Sequence, residues 1–240
     1  MDNAGYTSLT RQSGLIREMQ AVANNIANMS TTGFRREQVV FTEYVQALGG
    51  GHASISMGAP RAGFAPEVQG ALTGTGRPLD LAIEGEGFFR IATPDGDMLT
   101  RAGAFVRSPD GEVLTPDGMP LLDGGGAPVF VPPDAADIAV ASDGTLSADG
   151  AALAQIGLWQ PVDTIQIERR AGARFTLAAE PVPAFEGAGR IVQGFLEASN
   201  VSPVAEIARM IEVQRAYELG QGFLDKEDER MRGFIRSFGK

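Results

Sequence analysis

The chain lacks cysteine altogether and has one histidine, His52, among its 240 residues. The absence of cysteine excludes a disulfide framework, a thiolate metal site and a cysteine nucleophile. A lone histidine has no second histidine or cysteine with which to hold a metal or to complete a His-dependent triad. The acidic run at residues 225–229 lacks the oxygen spacing of a calcium loop. We therefore predict no catalytic residue, no metal site and no cofactor.

Long apolar runs and an excess of positive charge are also missing. No stretch is long and apolar enough to span a bilayer, and the N-terminus lacks the charged-then-apolar pattern of a secretory signal. The formal net charge is −10 at pH 7, and no basic patch stands out. This balance disfavours nucleic acid as a partner. Composition thus predicts neither a transmembrane segment nor nucleic-acid binding.

The net negative charge comes entirely from the middle of the chain. Residues 1–45 carry four basic and four acidic side chains, and residues 203–240 carry seven of each. Residues 46–202 carry nine basic and nineteen acidic side chains. Neutral ends suit close packing of many identical helices, and an acidic middle suits a solvated outer surface. The ordinary acidity of soluble domains explains the same balance equally well.

The first 34 residues predict a long helix. Residues at positions 9, 12, 16, 19, 23 and 26 share one helix face, and only Gln12 among them is polar. The stripe is narrow, as in a coiled-coil seam. A helix from Ala4 to Asn28 would be roughly 37 Å long. By itself it would be only marginally stable in water, so it needs a partner.

A second long helix is predicted from Pro203, with Ser202 as its N-cap. Five residues fall at strict seven-residue intervals along it: Met210, Tyr217, Leu224, Met231 and Phe238. A seven-residue repeat sustained over this length indicates a left-handed supercoil. We therefore expect the two terminal helices to pair as a coiled coil, with each other and with neighbouring copies.

The region between the helices is rich in turn residues. The chain has 31 glycines and 14 prolines, and Asp-Gly pairs begin at positions 95, 110, 117, 143 and 149. Asp-Gly between short apolar runs predicts β-hairpins whose two turn residues both have positive φ. Strands are predicted at residues 88–92, 104–107, 120–122, 129–131, 138–141, 156–159, 165–167 and 174–177. Their spacing indicates a compact sandwich or distorted barrel.

The predicted fold class is therefore α+β, with a β-rich middle domain of short antiparallel strands between long N- and C-terminal helices. Residues 79–181 form the middle domain, and residues 1–34 and 203–240 form a terminal helical module. Residues 35–78 and 182–202 form an extended arm or neck. Within that neck, a returning strand at residues 190–197 is expected to pair near residues 67–72.

Several motifs resemble those of one protein family. Residues 23–28 (ANNIAN), followed by residues 32–34 (TGF), resemble the N-terminal signature of the bacterial flagellar rod and hook proteins. Residues 197–201 (EASNV) and 214–218 (QRAYE) resemble the family's second signature. Residues 79–89 (LDLAIEGEGFF) resemble a block shared by its rod and hook members. The motifs occur in the family's order and cover most of the chain.

The resemblance implies a structural subunit of the flagellar basal-body rod, a helical tube that transmits torque across the periplasm, and not an enzyme. The length and the opening MDNAGY are most similar to proximal rod members, with the distal rod members as the alternative. The implied partners are further copies of the chain, other proximal and distal rod subunits, and the flagellar export apparatus. Export by that apparatus needs no cleaved signal peptide.

The predicted assembly interface lies on both terminal segments. Its residues are Leu9, Ile16, Met19, Ala23, Asn24, Asn25, Ile26, Asn28, Gly33, Phe34, Ile207, Met210, Ile211, Gln214, Tyr217 and Leu224. The asparagines have two compatible interpretations: capping of the helix end, or hydrogen bonds to adjacent subunits. We favour the second because of the resemblance.

A hypothesis from another class is a soluble β-domain enzyme or binding module whose terminal helices form an intramolecular hairpin. It predicts a pocket with convergent polar groups and perturbed titratable residues. The sequence shows no such constellation. We favour the polymer subunit, held by heterologous contacts that leave the lattice open to further addition.

Overall fold

The computed structural model describes residues 3–46, 55–64, 68–162, 167–170, 173–177, 180–185 and 187–238. The chain divides into two compact units. The helical unit comprises residues 1–27, 37–63 and 202–240, and the β unit comprises residues 28–36 and 64–201. Each unit is therefore assembled from segments that are distant in the sequence. His52 lies outside the described residues.

The helical unit contains helix α1 (Asn3–Ala27), strands β1 (Glu37–Gln46) and β2 (Ile55–Phe64), and helix α2 (Pro203–Phe238). The two strands pair as a ribbon. Gln12 bonds Tyr217 and Asn25 bonds Glu206, so the helices run antiparallel. Both helices were predicted, and Pro203 starts α2 as expected. Coiled-coil geometry of the pair stays a prediction.

The stripe of α1 that faces α2 is turned relative to the predicted stripe. Its less exposed positions run through Ser8, Gln12, Leu15, Met19, Val22 and Ile26. Leu9, Ile16 and Ala23, which the sequence placed on that stripe, are exposed. The physical reason is the third element: β1 contacts α1, and Asn25 on that flank is buried against it. The buried arc of α1 is therefore displaced toward β1.

The β unit consists of short strands in several small sheets. The strands are β3 (Leu72–Gly74), β4 (Leu81–Gly85), β5 (Phe89–Thr93), β6 (Gly96–Thr100), β7 (Val106–Arg107), β8 (Val113–Leu114), β9 (Ile138–Val140), β10 (Thr145–Ala148), β11 (Ala151–Gln155), β12 (Trp159–Gln160), β13 (Ile167–Arg170), β14 (Arg174–Leu177), β15 (Val182–Pro183), β16 (Gly189–Gln193) and β17 (Phe195–Glu197). The order β13-β14-β6-β5 gives a four-stranded sheet, and β11-β10-β9 gives a three-stranded one. The pairings within both sheets are antiparallel, as predicted.

Apolar side chains from these strands form the core of the β unit. Leu81, Ile83, Phe89, Ile91 and Phe105 are fully buried in one cluster. Four of the five come from short strands and Phe105 directly precedes β7, so no single sheet is large enough to enclose the core. The cluster instead gathers side chains from several sheets and from the turns between them.

The returning strand of the neck pairs in two parts. Gly194, with φ of 76°, separates β16 from β17. Strand β17 pairs with β3 so that Glu197 lies opposite Leu72, which agrees with the expected pairing near residues 67–72. Strand β16 pairs instead with β4 of the middle region. A glycine with positive φ thus redirects one predicted strand to two partners.

The Asp-Gly turns differ in one respect from the prediction. The glycines at positions 96, 111, 118, 144 and 150 all have positive φ. Among the described non-glycine residues, only Asp149, with φ of 49°, shares that conformation. The turn with two positive φ values is therefore the one between β10 and β11. The other four pairs need positive φ only at glycine.

Candidate assembly surface

The face of α1 that points away from α2 is free of charge. It carries Leu9, Ser13, Ile16, Gln20, Ala23 and Ala27, at alternating spacings of four and three. All six are exposed, and Leu9 is 57% and Ile16 42% exposed. Such spacing places them in one row along the helix. An uncharged row that exposes two large aliphatic side chains is a surface suited to another helix.

A second exposed apolar row lies on α2. Val204, Ile207 and Ile211 start it, and Leu219 and Phe223 continue it about two turns further on. Val204 is 80% and Leu219 77% exposed. At 3.6 residues per turn these side chains point away from the α2 positions that contact α1. The helical unit therefore exposes one apolar row on each helix.

The inner faces of α1 and α2 approach closely at Gly220. The side-chain amide of Gln12 donates to the Tyr217 carbonyl oxygen at 3.1 Å. A Cβ atom on Gly220 would lie 2.3 Å from Gln12 Nε2, so only glycine fits without movement. Glu18 accepts a hydrogen bond from Arg209 Nε at 2.7 Å across the same interface. These contacts set the register of the two helices.

Asn24 and Asn25 form hydrogen bonds within the chain that neither of the two interpretations anticipated. Asn25 is 1% exposed, its amide oxygen accepts from the Glu37 backbone N–H at 2.8 Å, and its amide nitrogen donates to the Glu37 carbonyl oxygen at 2.9 Å. The same nitrogen lies 3.2 Å from Glu206 Oε2. Asn24 donates to the Glu37 carboxylate at 2.8 Å. These bonds hold the start of β1 against α1 within the chain.

Residues 28–34 form the exit from α1 and belong to the β unit. The Asn28 carbonyl accepts from the Thr31 N–H at 3.1 Å, and its side-chain oxygen accepts from the Thr31 hydroxyl at 3.1 Å. Gly33 has φ of 68°, and a Cβ there would lie 2.3 Å from the backbone nitrogen of Ala102. Phe34 is fully buried, and the Arg169 guanidinium lies 4.4 Å from its ring centroid. Gly33 and Phe34 are therefore part of the β-unit interior.

A buried ion cluster lies beside this segment. Arg35 Nη2 is 2.8 Å from Glu197 Oε1, and Arg101 Nη1 is 3.5 Å from Glu197 Oε2. The three side chains are at most 3% exposed. Arg35 also donates to the Val68 carbonyl oxygen at 3.0 Å, and Arg101 donates to the Ile83 carbonyl oxygen at 3.2 Å. One carboxylate therefore contacts two buried guanidinium groups.

Burial weakens the basicity of both arginines. Desolvation lowers the pKa of Arg35, and the Glu197 carboxylate opposes that effect. Desolvation also lowers the pKa of Arg101 to about 10, with Glu197 again acting in the opposite direction and Arg35 adding repulsion. With a pKa of about 10, Arg101 remains charged at neutral pH. Glu197 is the carboxylate that contacts both arginines of the cluster.

The sixteen residues of the predicted interface occupy three environments. Six are exposed on the helical unit: Leu9, Ile16, Ala23, Ile207, Ile211 and Gln214. Seven are half-buried: Met19, Asn24, Ile26, Asn28, Met210, Tyr217 and Leu224. Three are buried: Asn25, Gly33 and Phe34. Their role as contacts between subunits stays a prediction for all sixteen.

The described residues contain no group of three or more His, Cys, Asp or Glu side chains that could hold a metal ion. A hollow of about 290 Å³ in the β unit is lined largely by threonine and alanine side chains, and its charged lining residues are Asp117 and Arg174. Those two side chains form an ion pair with each other. Within the described part of the chain, no helix is both long and apolar enough to cross a membrane.

Three family models match the chain. They are the flagella basal body rod protein model at residues 6–35, the flagellar hook protein FlgE/F/G D1 domain at residues 82–148, and the flagellar basal body rod FlgEFG protein C-terminal model at residues 192–233. The flagellar basal-body rod protein FlgF of Caulobacter vibrioides is 37% identical over 248 residues, which cover 100% of this chain and 99% of that protein. The chain belongs to the flagellar basal-body rod protein family.

Other members of the rod family are also similar. FlgF of Mesorhizobium japonicum is 36% identical, with 91% of this chain and 90% of that protein covered. FlgG of Bacillus subtilis is 30% identical, with 96% and 97% covered. The family is a structural component of the flagellar basal body and not an enzyme, and its members assemble with other rod subunits. The resemblance seen in the sequence motifs is confirmed.

The ion cluster is the feature of this rod-family chain that sequence reasoning missed. Arg35 ends the N-terminal family match, and Glu197 lies inside the C-terminal one. Arg35 directly follows the TGF motif, and Glu197 is the first residue of the EASNV motif. Their position at these motifs was the one sequence feature that set the two charged residues apart. Nothing in the sequence indicated that these two charges meet.

Proposed function

We propose that this chain is a proximal-rod subunit that polymerises through the outer faces of α1 and α2. The observation that carries the proposal is the uncharged, exposed row on α1 that includes Leu9 and Ile16. Covering such a row with a neighbouring subunit lowers the free energy of the assembly, because apolar surface is removed from water. The greater similarity to FlgF than to FlgG relatives supports the proximal position.

The contacts between copies are heterologous in this proposal. The exposed row on α1 and the exposed row on α2 are different surfaces, so each copy can bind one neighbour with each. Heterologous contacts generate a helical tube when the rotation between copies does not close a ring. The charge balance supports such packing, because residues 1–45 and residues 203–240 each carry equal numbers of acidic and basic side chains.

The proposal also covers how the chain is exported and where it is located. The chain is exported by the flagellar export apparatus without a cleaved signal peptide and takes its place in the part of the rod that spans the periplasm. The assembled rod transmits torque as a stiff shaft. The acidic middle of the chain, with nineteen acidic and nine basic side chains in residues 46–202, supplies a solvated outer surface.

The test places a charge on the outer face of α1. Ile16→Asp should fold normally, because Ile16 is already exposed, but should be absent from isolated basal bodies and should abolish motility. Gln221→Asp is the matched control, since Gln221 is also exposed and lies outside the apolar row of α2. Leu224→Asp should also block incorporation. Because Leu224 is half-buried, its effect also includes weaker helix packing.

Immunoblots of purified basal bodies measure incorporation, and circular dichroism of the purified variants checks folding. Full incorporation of Ile16→Asp would contradict the proposed interface. Loss of the Gln221→Asp control to the same extent would show that any added charge on a helix prevents assembly, and would contradict a specific role for the apolar row.

A further inference from the structure

The chain passes from the β unit to the helical unit at the link between Arg36 and Glu37. Two asparagine side chains hold the backbone at this link. Asn200 Oδ1 accepts a hydrogen bond from the Arg36 N–H at 2.6 Å. Asn25 Oδ1 accepts one from the Glu37 N–H at 2.8 Å. Each asparagine belongs to the same unit as the residue that it holds, so two consecutive N–H groups are held by acceptors from different units.

These two hydrogen bonds fix the backbone conformation of Arg36. The N–H groups of Arg36 and Glu37 lie in consecutive peptide planes, and the dihedrals φ and ψ of Arg36 join those planes. Each peptide is planar and stiff, whereas φ and ψ are soft. Holding both planes therefore fixes the two dihedrals through which the link could twist.

Each asparagine also holds further groups through its amide nitrogen. Asn25 Nδ2 donates to the Glu37 carbonyl oxygen at 2.9 Å and lies 3.2 Å from Glu206 Oε2, in the first turn of α2. Asn200 Nδ2 donates to the Val68 carbonyl oxygen at 2.8 Å. A carboxamide carries an acceptor oxygen and two N–H donors in one small side chain. A leucine of similar size offers neither.

The residues that precede the link are anchored in the β unit by further contacts. The Gly33 N–H donates to the Glu197 carbonyl oxygen at 2.7 Å, and the Asn200 N–H donates to the Phe34 carbonyl oxygen at 3.3 Å. Phe34 and Arg35 are at most 1% exposed. The chain therefore enters the link from a segment that is itself held in place.

We infer that Asn25 and Asn200 form a clamp on the link between Arg36 and Glu37, and that this clamp keeps the link from twisting when the rod transmits torque. The inference rests on the proposed function, which makes the chain a subunit of a shaft under load. The chain passes between its two units at a few backbone positions, and a load carried through the backbone passes along them. A link with free φ and ψ would turn before it transmitted that load. Both asparagines are positioning residues in this role.

Limited proteolysis of the purified full chain tests the clamp. Trypsin cleaves after arginine, and cleavage after Arg36 requires the link to leave its hydrogen bonds and enter the protease. Asn25→Leu and Asn200→Leu each remove the acceptor of one held N–H. The rate of cleavage after Arg36, followed by mass spectrometry, should therefore rise roughly tenfold in each variant.

Gln193→Leu is the matched control. The Gln193 side chain also joins backbone segments of the β unit, through hydrogen bonds with the Pro78 and Ile138 carbonyl oxygens and the Val140 N–H. It holds neither residue of the link. Cleavage after Arg36 in this variant should stay close to that of the unmodified chain.

Asn200→Asp separates loss of the hydrogen bond from loss of the fold. It keeps an acceptor oxygen for the Arg36 N–H and removes the donor to the Val68 carbonyl oxygen. Cleavage after Arg36 should therefore be several-fold slower than in Asn200→Leu. Cleavage after Arg107, in β7, reports unfolding of the β unit and should rise less than cleavage after Arg36 in the leucine variant.

The role in the rod is measured in cells that carry Asn200→Leu or Gln193→Leu. Both variants should occur in isolated basal bodies in normal amounts, because neither changes the outer faces of α1 and α2. Cells with Asn200→Leu should lose swimming speed more steeply than unmodified cells as the viscosity of the medium rises. Cells with Gln193→Leu should behave as unmodified cells do.

The outcomes separate this inference from the function on which it rests. Cleavage after Arg36 that is no faster in Asn25→Leu and Asn200→Leu than in Gln193→Leu would overturn the clamp. Faster cleavage with an unchanged response to viscosity would overturn its role in transmitting torque. Absence of the unmodified chain from basal bodies would refute the proposed function, while the cleavage rates of the purified chain would still decide whether the clamp exists.

Discussion

Replacing Glu197 with glutamine tests whether the buried ion cluster depends on a single carboxylate. Glu197→Gln preserves the size of the side chain and removes its charge. Arg35 and Arg101 then stay buried, at 1% and 3% exposed, without the carboxylate that both of them contact. The carboxylate raises the pKa of both guanidinium groups, so its removal lowers both values further and makes the charged forms more costly to bury.

The expected loss of stability follows from the charge count. Removing one partner of a buried ion pair typically costs about 3–5 kcal/mol, because the remaining charge is uncompensated. Here two guanidinium groups lose the same carboxylate, so the upper part of that range applies. Arg35→Met should cost less than Glu197→Gln, because Glu197 and Arg101 then remain as a pair of equal and opposite charges. The exposed pair formed by Glu84 and Arg190 should be worth only about 0.2–1 kcal/mol.

Urea unfolding followed by tryptophan fluorescence measures this for the β unit alone. The chain has one tryptophan, Trp159, which is 7% exposed and lies in a buried cluster of the β unit. Circular dichroism at the helix band reports mainly on α1 and α2 in the same samples. With a denaturant slope of about 2 kcal/mol per M for urea, Glu197→Gln should lower the fluorescence midpoint by about 2–2.5 M.

A control variant and the predicted order of destabilisation test the reasoning about the ion cluster. Glu84→Gln removes the same chemical group from an exposed pair and should move the midpoint by less than about 0.5 M. The expected order of destabilisation is Glu197→Gln, then Arg35→Met, then Glu84→Gln. A Glu197→Gln midpoint no lower than that of Glu84→Gln, or an Arg35→Met variant less stable than Glu197→Gln, would refute the reasoning about the cluster.

Four further substitutions test the packing of the two units. Gly220→Ala puts a methyl group 2.3 Å from a side-chain amide nitrogen of α1 and should lower the helix unfolding midpoint, whereas Gly222→Ala meets nothing within 4 Å and should add about 1 kcal/mol of stability; equal shifts would contradict the assigned helix faces. Asn25→Leu leaves a backbone N–H and a carbonyl of β1 unpaired and should cost the helical unit about 1–3 kcal/mol in thermal unfolding, and an unchanged midpoint would show that these bonds are dispensable. Phe34→Ala should cost the β unit about 3–5 kcal/mol by tryptophan fluorescence, and a loss below about 1 kcal/mol would place Phe34 outside its core.

The helices were predictable because their signal is local. The three- and four-residue spacing of apolar residues predicted α1 within about one residue at each end, and Ser202-Pro203 marked the start of α2. The strands were less predictable than the helices. Arg174–Leu177 was predicted with its observed bounds, but β11 is built largely from alanine, whose β propensity is low. Its place depends on pairing with β10.

The apolar residues of α1 were predicted from the sequence, but the direction in which each of them points was not. Periodicity assigned Leu9, Ile16 and Ala23 to the face toward the partner helix, and the fold exposes all three. The predicted and observed stripes differ by one residue at every second position: Leu9, Ile16 and Ala23 are replaced by Ser8, Leu15 and Val22. This shift turns the buried stripe by a fraction of a helical turn. Local spacing gives no information on the strand that also packs against α1. That strand, β1, decides which arc of the helix is buried.

The sequence by itself determined the two terminal helices, the β-rich region between them and the membership of the rod family, because periodicity, turn residues and motifs are all read along the chain. Only the tertiary structure decided that Gly33 and Phe34 are buried in the β unit. It also decided that Arg35 meets Glu197, which lies 162 positions further along the chain. The physical reason is that burial and charge pairing depend on which distant segments share a core, and no local pattern of residues specifies that distance.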